Sequence, residues 1–383
     1  MKTKRKAAAF LAAMVVWASP VQGADALLTG PEVGAKSAVV MEALTGRVVF
    51  WQQGDTPMPM ASTTKIMTTL LALEQQNLDD PFVVDGGAIR VEGSSMGLRE
   101  GDTVTLRSLC YGMMLASGND AANAAAVRSA GSMEAFVEQM NERAAQLGMK
   151  DTHFVTPSGL DAEGHQSTAY DMALLMRAAL QVPQFCEIAA AKTARLEYGN
   201  PPYARSLTNH NKLLWNCEGV MAGKTGFTKG AGRCLVSAAE REGISLICVT
   251  LGCPDDWNVH AQLYDRCFGL LQPMELTAGQ VCLPVVGGES PVEVQPQEEL
   301  ILPLTAEEAD MMEIKVLLPR FVYAPVKRGD LLGRLECRVG DTVFYTCPLV
   351  AQQDAARNFE PTAEKPCLWE RLLAWVKKYQ KYI

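Results

Sequence analysis

Two runs of β-branched and aromatic residues, SAVVMEA and RVVFWQ, flank Leu44-Thr45-Gly46 and predict a hairpin over residues 35–52, with glycine where a positive φ is wanted. Pro57 and Pro59 then interrupt the chain. The stretch ASTTKIMTTLLALEQQ at 61–76 puts an apolar stripe on good helix formers and predicts a helix opening near Ser62. Helical periodicity recurs over 105–116, 120–129, 133–147 and 169–181, with Ser167 or Thr168 placed to cap the last of these. Residues 197–215 show no clean period, and Pro201-Pro202 marks a connection. Strand patterns return at 227–228, 234–239 and 244–251, and a helix near 257–271 closes the block. Strands first and last with helices between describe an α+β fold, an antiparallel sheet with a helical cluster packed on it.

Beyond Pro273 the character changes to short apolar strands (281–283, 299–304, 313–318, 343–347) between proline and glycine turns, a small all-β domain over 273–360. The chain ends in a stretch at 361–383 where Leu368, Leu372, Trp375 or Val376, and Tyr379 share a helix face edged by Arg371, Lys377, Lys378 and Lys381. Aromatic and basic residues mixed in this way predict a helix lying in a membrane interface; a terminal helix docked on protein is the alternative. At the other end, Lys2, Lys4, Arg5 and Lys6 precede an apolar run at 7–17 and small residues up to Gly23 and Ala24. That order reads as a signal peptide over 1–23, or else an uncleaved anchor, so the domain at 24–272 is expected outside the cytoplasm.

Composition narrows the options further. With 383 residues, 48% of them hydrophobic and 20% charged, the chain can bury a sizeable core. A net charge of −8 with no long basic run excludes nucleic acid as a natural partner. Eleven cysteines scattered singly do not form a disulfide framework, although Cys234 with Cys248, or Cys337 with Cys347, fall in strands expected to be neighbours. The four histidines (His153, His165, His210, His260) lack metal-ligand spacing, and no cofactor motif appears.

The candidate chemistry lies in three short motifs. Ser62-x-x-Lys65 puts a hydroxyl and an amine three positions apart, on one helix face. A serine needs a base to become a nucleophile, and a lysine serves only if burial or a second cation lowers its pKa. Alone the pair says little, since a serine at a helix start is usually only a cap. Ser117-Gly118-Asn119 follows at a helix–helix junction, and Lys224-Thr225-Gly226 opens the later strand block. A fourth match, Gly93-Ser94-Ser95-Met96-Gly97, has the form of a nucleophile elbow. No helix follows Ser95 at once, so it is read as a loop residue.

The ordered triple, with GSSMGLREGD, LASGNDAANA, GLDAEGHQSTAYDMALL, NHNKLLW and GKTGFTKGAG, resembles the low-molecular-mass penicillin-binding proteins, specifically the serine D-alanyl-D-alanine carboxypeptidases. The likeness covers residues 35–271 well and is most similar to Gram-positive members, sporulation-associated ones included. It implies a β-lactamase/transpeptidase-like fold, a peptidoglycan stem peptide ending in D-Ala-D-Ala as substrate, and β-lactam antibiotics as covalent inhibitors. It also implies action at the outer face of the membrane or in the cell wall. In the roles it implies, Ser62 forms an acyl-enzyme and Lys65 takes its proton, while Lys224 keeps Lys65 partly neutral and binds the anionic substrate. Ser117 relays a proton to the leaving amine, and Asn119 holds Lys65 and a substrate amide. The N–H groups of Ser62 and Phe227 form the oxyanion hole, Thr225 meets the terminal carboxylate, and Gly226 lets the substrate lie along the strand.

Phe227 stands where a smaller or polar side chain belongs, which predicts a narrower pocket. Residues 253–257 (CPDDW) offer no arginine for the carboxylate. A class A β-lactamase is disfavoured because no Glu-x-x-Leu-Asn lies between Ser117 and Lys224. A D,D-endopeptidase on cross-links would use the same residues, and a penicillin sensor that stays acylated would need no turnover.

Overall fold

The computed structural model describes residues 26–358, except 29, 31, 277, 278, 280, 298 and 299, together with 369 and 371. The expected signal peptide at 1–23 lies outside the described residues, as does nearly all of the expected helix at 361–383. The chain divides into two compact units. One runs to Met274 and takes back Ile301–Ala306, and the other comprises Glu275–Leu300 and Glu307 onwards.

The first unit opens with β1 (Ser37–Glu42) and β2 (Val48–Gln52), the expected hairpin. Gly46 in its turn has φ +78°. The Glu42 carboxylate accepts from Leu44 N, Thr45 N and Thr45 Oγ1 across the same turn. A 3₁₀ turn at Ala61–Thr64 runs straight into α1 (Lys65–Leu73). All nine residues of α1 are buried, so this is a central helix rather than a surface one.

Short strands β3 (Phe82–Val83) and β4 (Thr103–Val104) follow, then α2 (Leu106–Leu115), α3 (Asn119–Ala130), α4 (Met133–Gln146), α5 (Ala169–Ala179) and α6 (Pro183–Ala190). Caps set three of these starts. Thr105 and Ser108 form a capping box on α2, Ser132 caps α4, and Thr168, not Ser167, caps α5.

The region without a clean period contains a hairpin. β5 (Thr193–Gly199) pairs in full with β6 (Pro202–Thr208) across the proline turn, followed by the short α7 (Leu213–Asn216). The hairpin's first strand alternates, with Thr193, Arg195 and Glu197 exposed and Ala194, Leu196 and Tyr198 turned inward, whereas its second strand does not alternate cleanly. The unit then adds β7 (Val220–Thr228), β8 (Gly232–Arg241), β9 (Ile244–Leu251) and α8 (Asp256–Phe268).

The main sheet is antiparallel in the order β2-β1-β9-β8-β7. Alternation along each strand divides its side chains between two cores. Val39, Met41, Cys234, Val236, Ile247 and Val249 pack with the helical cluster around α1. Val40, Ala239, Leu246 and Cys248 pack under α8 with Val259, Leu263 and Tyr264. This corrects one expectation: Cys234 and Cys248 belong to opposite faces of the sheet and cannot bridge. Strand β7 forms the sheet's margin, and its neighbour on the open side is the 3₁₀ turn. A Cβ on Gly226 would stand 2.9 Å from the Met60 carbonyl oxygen and 3.2 Å from Ser62 N.

The second unit is built on a five-stranded antiparallel sheet in the order 281–283, 292–296, 342–351, 331–339, 312–317, the β-rich domain the sequence anticipates. Cys337 and Cys347 lie on one face of it, two register positions apart. Among the described residues, no helix is long and apolar enough to cross a membrane.

A buried polar knot fastens α8 to the sheet. Ser237 Oγ is 2.8 Å from His260 Nδ1 and 2.7 Å from Tyr264 Oη, and Thr250 Oγ1 is 3.0 Å from His260 Nε2. Burial pulls the His260 imidazole down to about 3. Its folded value lies below the ordinary one, so its contribution to stability is whole above about pH 6.5 and is lost as pH falls toward 3. One such group contributes a slope of at most about 1.4 kcal/mol per pH unit. In urea unfolding at about pH 7 and about pH 5, His260→Asn should be the less stable protein at the higher pH yet lose less than the parent on acidification.

Candidate active site

All three motifs meet at the start of α1. Ser62 sits in the 3₁₀ turn, half-buried, and Lys65 is the first residue of the helix proper, wholly buried. Its amine touches three oxygens: Ser62 Oγ at 2.9 Å, Asn119 Oδ1 at 2.7 Å and the Ser158 carbonyl at 2.6 Å. The last two can only accept. A neutral amine has two N–H bonds, which those acceptors use, leaving its lone pair for the Ser62 hydroxyl.

Burial first, and then the nearby Lys224 cation, hold Lys65 well below the ordinary lysine value, with Asp120 opposing them. Lys224 lies on β7, also buried. Its amine is 3.0 Å from Ser117 Oγ and 2.7 Å from the Thr225 carbonyl, and burial brings it down to about 7. The Ser62–Lys65 and Ser117–Lys224 pairs thus face each other across one cleft.

Two residues here hold a left-handed backbone without being glycine: Ala61 at φ +49° and Ser117 at φ +57°. Such positions cost of order 1 kcal/mol or more each and persist where the surroundings over-determine them. Ala61 turns the chain so that Ser62 follows on the cleft side, and Ser117 aims its hydroxyl at Lys224. Gly226 completes the site by its lack of a side chain, which lets β7 approach the turn bearing Ser62.

Phe227 does not narrow the cleft. It pairs with Arg233, on the face of the sheet that carries α8, and its side chain is 67% exposed. Side chains two apart on a strand share a face, so Lys224 and Gly226 face the cleft while Thr225 and Phe227 stand at its margin.

Sequence reasoning missed several parts of the site. The Ser158 carbonyl on Lys65 is a backbone group that no residue pattern announces. His210 lies near Lys224 at the surface, with its backbone N–H on the Leu115 carbonyl, and partial desolvation and then that lysine lower its imidazole pKa. Asp161 accepts from Thr228 Oγ1 at 2.7 Å and so ties the loop at 160–161 to the end of β7.

The GSSMG stretch proves to be a strap over the site. Its backbone donors at Met96, Gly97 and Leu98, and the Ser95 hydroxyl, all converge on the Asp120 carboxylate. Next to Asp120, Asn119 donates from Nδ2 to the Glu92 carbonyl and from its backbone to the Ser94 carbonyl. Arg205 on β6 clasps the far side. It stacks on Tyr198 and Tyr203 and donates to the Gly97 carbonyl at 2.5 Å. Ser95 is therefore a latch, 2.6 Å from a carboxylate and in contact with neither lysine.

Comparison with known proteins identifies the family of the chain. The profile of the D-alanyl-D-alanine carboxypeptidase family matches residues 24–255, and that of the penicillin-binding protein 5 C-terminal domain matches 277–357. The D-alanyl-D-alanine carboxypeptidase DacF of Bacillus subtilis is 31% identical over 334 residues, 84% of this chain and 85% of its own. DacC of Escherichia coli is 31% identical over 376 residues, 91% of each. Among solved structures, penicillin-binding protein 5 of Haemophilus influenzae superposes with a TM-score of 0.66 at 26% identity, over 86% of this chain and 99% of its own.

Removing the Asp120 carboxylate leaves several donors of the strap without an acceptor. Asp120→Ala should cost on the order of 3 kcal/mol in urea unfolding. It should also expose the strap to cleavage after Arg99 in limited trypsin digestion, while Ser95→Ala, which removes one of these bonds, should show a smaller change in both.

Proposed function

The chain belongs to the D-alanyl-D-alanine carboxypeptidase family, and from that premise we infer that Ser62 is the nucleophile with which it removes the terminal D-alanine from peptidoglycan stem peptides. The observation that carries this reading is the Lys65 amine, buried and held 2.9 Å from Ser62 Oγ with its other two contacts on pure acceptors.

As Ser62 Oγ attacks the carbonyl carbon of the penultimate D-alanine, the hydroxyl proton passes to the Lys65 lone pair. The carbonyl oxygen gathers negative charge in front of the N–H groups of Ser62 and Phe227, beside the positive end of α1. When the C–N bond breaks, the leaving amine takes a proton from the Ser117 hydroxyl, and Lys224 replaces it across the 3.0 Å contact. Water then cleaves the Ser62 ester, releasing the shortened peptide and regenerating the serine. A β-lactam offers the same carbonyl within a ring and acylates the same oxygen.

Lys224 and Thr225 bind the substrate's terminal carboxylate in this reading. His210 on the same rim supplies an imidazole where the sequence offers no arginine. Gly226 leaves room for the peptide to lie extended along β7. The basic and apolar order of residues 1–23 supports export, and the aromatic and basic mixture at 361–383 supports attachment to the outer face of the membrane.

D-alanine release from a diacetyl-L-Lys-D-Ala-D-Ala peptide tests the assignment. Ser62→Ala should abolish both release and labelling by a fluorescent penicillin, whereas Ser95→Ala should still be labelled; labelling of Ser62→Ala would end it. Stable labelling of the parent without D-alanine release would instead favour a penicillin sensor.

Acylation needs Lys65 neutral and Lys224 charged, so kcat/KM should rise as Lys65 loses its proton and fall as pH passes through about 7, where Lys224 loses its own. Lys224→Met should lower kcat/KM by about 100-fold and remove the falling limb. Because a neighbouring cation is gone, it should also move the rising limb to higher pH.

A further inference from the structure

His165 is 6% exposed, lies behind the Ser62 turn, and plays no part in the chemistry above. Its Nδ1 is 2.9 Å from the backbone nitrogen of Val155 and 3.4 Å from that of Thr156. A backbone N–H can only donate, so Nδ1 carries the lone pair and the ring proton sits on Nε2. Nε2 is 2.9 Å from Thr64 Oγ1, whose own hydrogen goes to the Ala61 carbonyl at 2.8 Å. The donors therefore run in one direction, from the imidazole through Thr64 to the residue before Ser62.

The segment that hangs from this imidazole reaches Lys65 three residues later. The Pro157 carbonyl accepts from Thr68 Oγ1 at 2.6 Å, and the Ser158 carbonyl from the Lys65 amine at 2.6 Å. Gly159, at φ +83°, packs so closely that any Cβ there would run into the Ala61 carbonyl.

We propose that His165, as the neutral imidazole protonated on Nε2, is a positioning residue for Lys65: it suspends residues 155–159 from Thr64 and so sets the Ser158 carbonyl on the lysine amine. The proposal rests on Lys65 being the base. Three oxygens touch that amine. Two belong to motif residues, Ser62 and Asn119. The third is a main-chain carbonyl, and its position is set by whatever fixes the segment. Fixing it keeps two acceptors on the neutral amine, so the lone pair has one direction left, toward Ser62.

Several charged groups bear on the imidazole. His153 and Asp161 belong to the same loop, Lys65 to α1, and the Phe154 ring meets it edge-on with centroids 6.0 Å apart. Burial, and then His153, bring its pKa down to about 4, with Asp161 acting upward and Lys65 downward. The ring is thus uncharged at neutral pH. A proton on Nδ1 would set two donors against each other at Val155.

The experiment uses the full chain, with His165→Ala, His165→Asn (which keeps an acceptor facing Val155) and Thr64→Val (which keeps the shape of Thr64 and removes its hydroxyl). Steady-state D-alanine release, nitrogen NMR of labelled histidines and NMR titration of lysine labelled at Cε are read together. The parent should show His165 as the Nε2–H tautomer. His165→Ala should lower kcat by about tenfold or more with KM within about threefold, because the lost contact lies on the base and not on the substrate. Water admitted beside Lys65 should raise its titration and shift the rising limb of kcat/KM to higher pH. Thr64→Val should change in the same direction by less, and His165→Asn should recover part of the loss.

A tautomer protonated on Nδ1, or variants that melt lower yet keep the parent's kcat and Lys65 titration, would overturn the proposal. If the parent released no D-alanine, the reading of the substrate would fall. The tautomer and the Lys65 titration would still decide whether His165 positions the amine.

Discussion

An amine buried at the head of a wholly buried helix is the constraint around which the first unit is built. A lysine in that place cannot keep its charge at low cost, so its surroundings either supply acceptors or depress its pKa. Here they do both. Asn119 and the Ser158 carbonyl take its N–H bonds, while desolvation and Lys224 favour the neutral form. Each of these partners comes from a different part of the chain. The helices α1 and α3, the loop before α5 and the margin of the sheet must therefore pack correctly for the Lys65 amine to be held neutral.

Much of this was legible in the sequence, for physical reasons. The hairpin at 35–52 and the strands β8 and β9 are buried along most of their length on both faces, so their β-rich runs are long and unbroken. The three motifs are short because each holds its few residues in one local conformation, a 3₁₀ turn entering a helix, a helix–helix junction and a strand. What the sequence hid is of two kinds. The β5–β6 hairpin alternates cleanly only in its first strand, its second strand is mostly exposed, and its proline turn reads as a break. The contacts of Ser158, His165 and Asp161 are hydrogen bonds to backbone or across loops, and those depend on tertiary distances rather than on residue spacing.

Phe227 and the cysteines show how a correct element can still mislead about a side chain. The end of β7 at 227–228 is legible as a strand, yet which face Phe227 takes depends on its register with Arg233, and that register sets the ring at the exposed margin. Cys234 and Cys248 were placed in neighbouring strands. An odd offset between them puts one thiol toward α1 and the other toward α8. A one-residue change of register reverses either conclusion.

The position of β7 at the margin of its sheet carries a consequence for solubility. An unpaired strand edge invites another strand, from a second copy or a misfolded chain, and proteins commonly blunt such edges. Here the blunting and the reaction share one device. The turn bearing Ser62 stands over the edge at the distance Gly226 permits, and the Lys224 charge points inward beside it. The turn stands so close that a Cβ on Gly226 would meet it, which leaves no place there for a further strand. Substitutions that open the cleft by drawing the turn away from β7 would therefore trade selectivity for a new tendency to aggregate, even where the folded state stays just as stable.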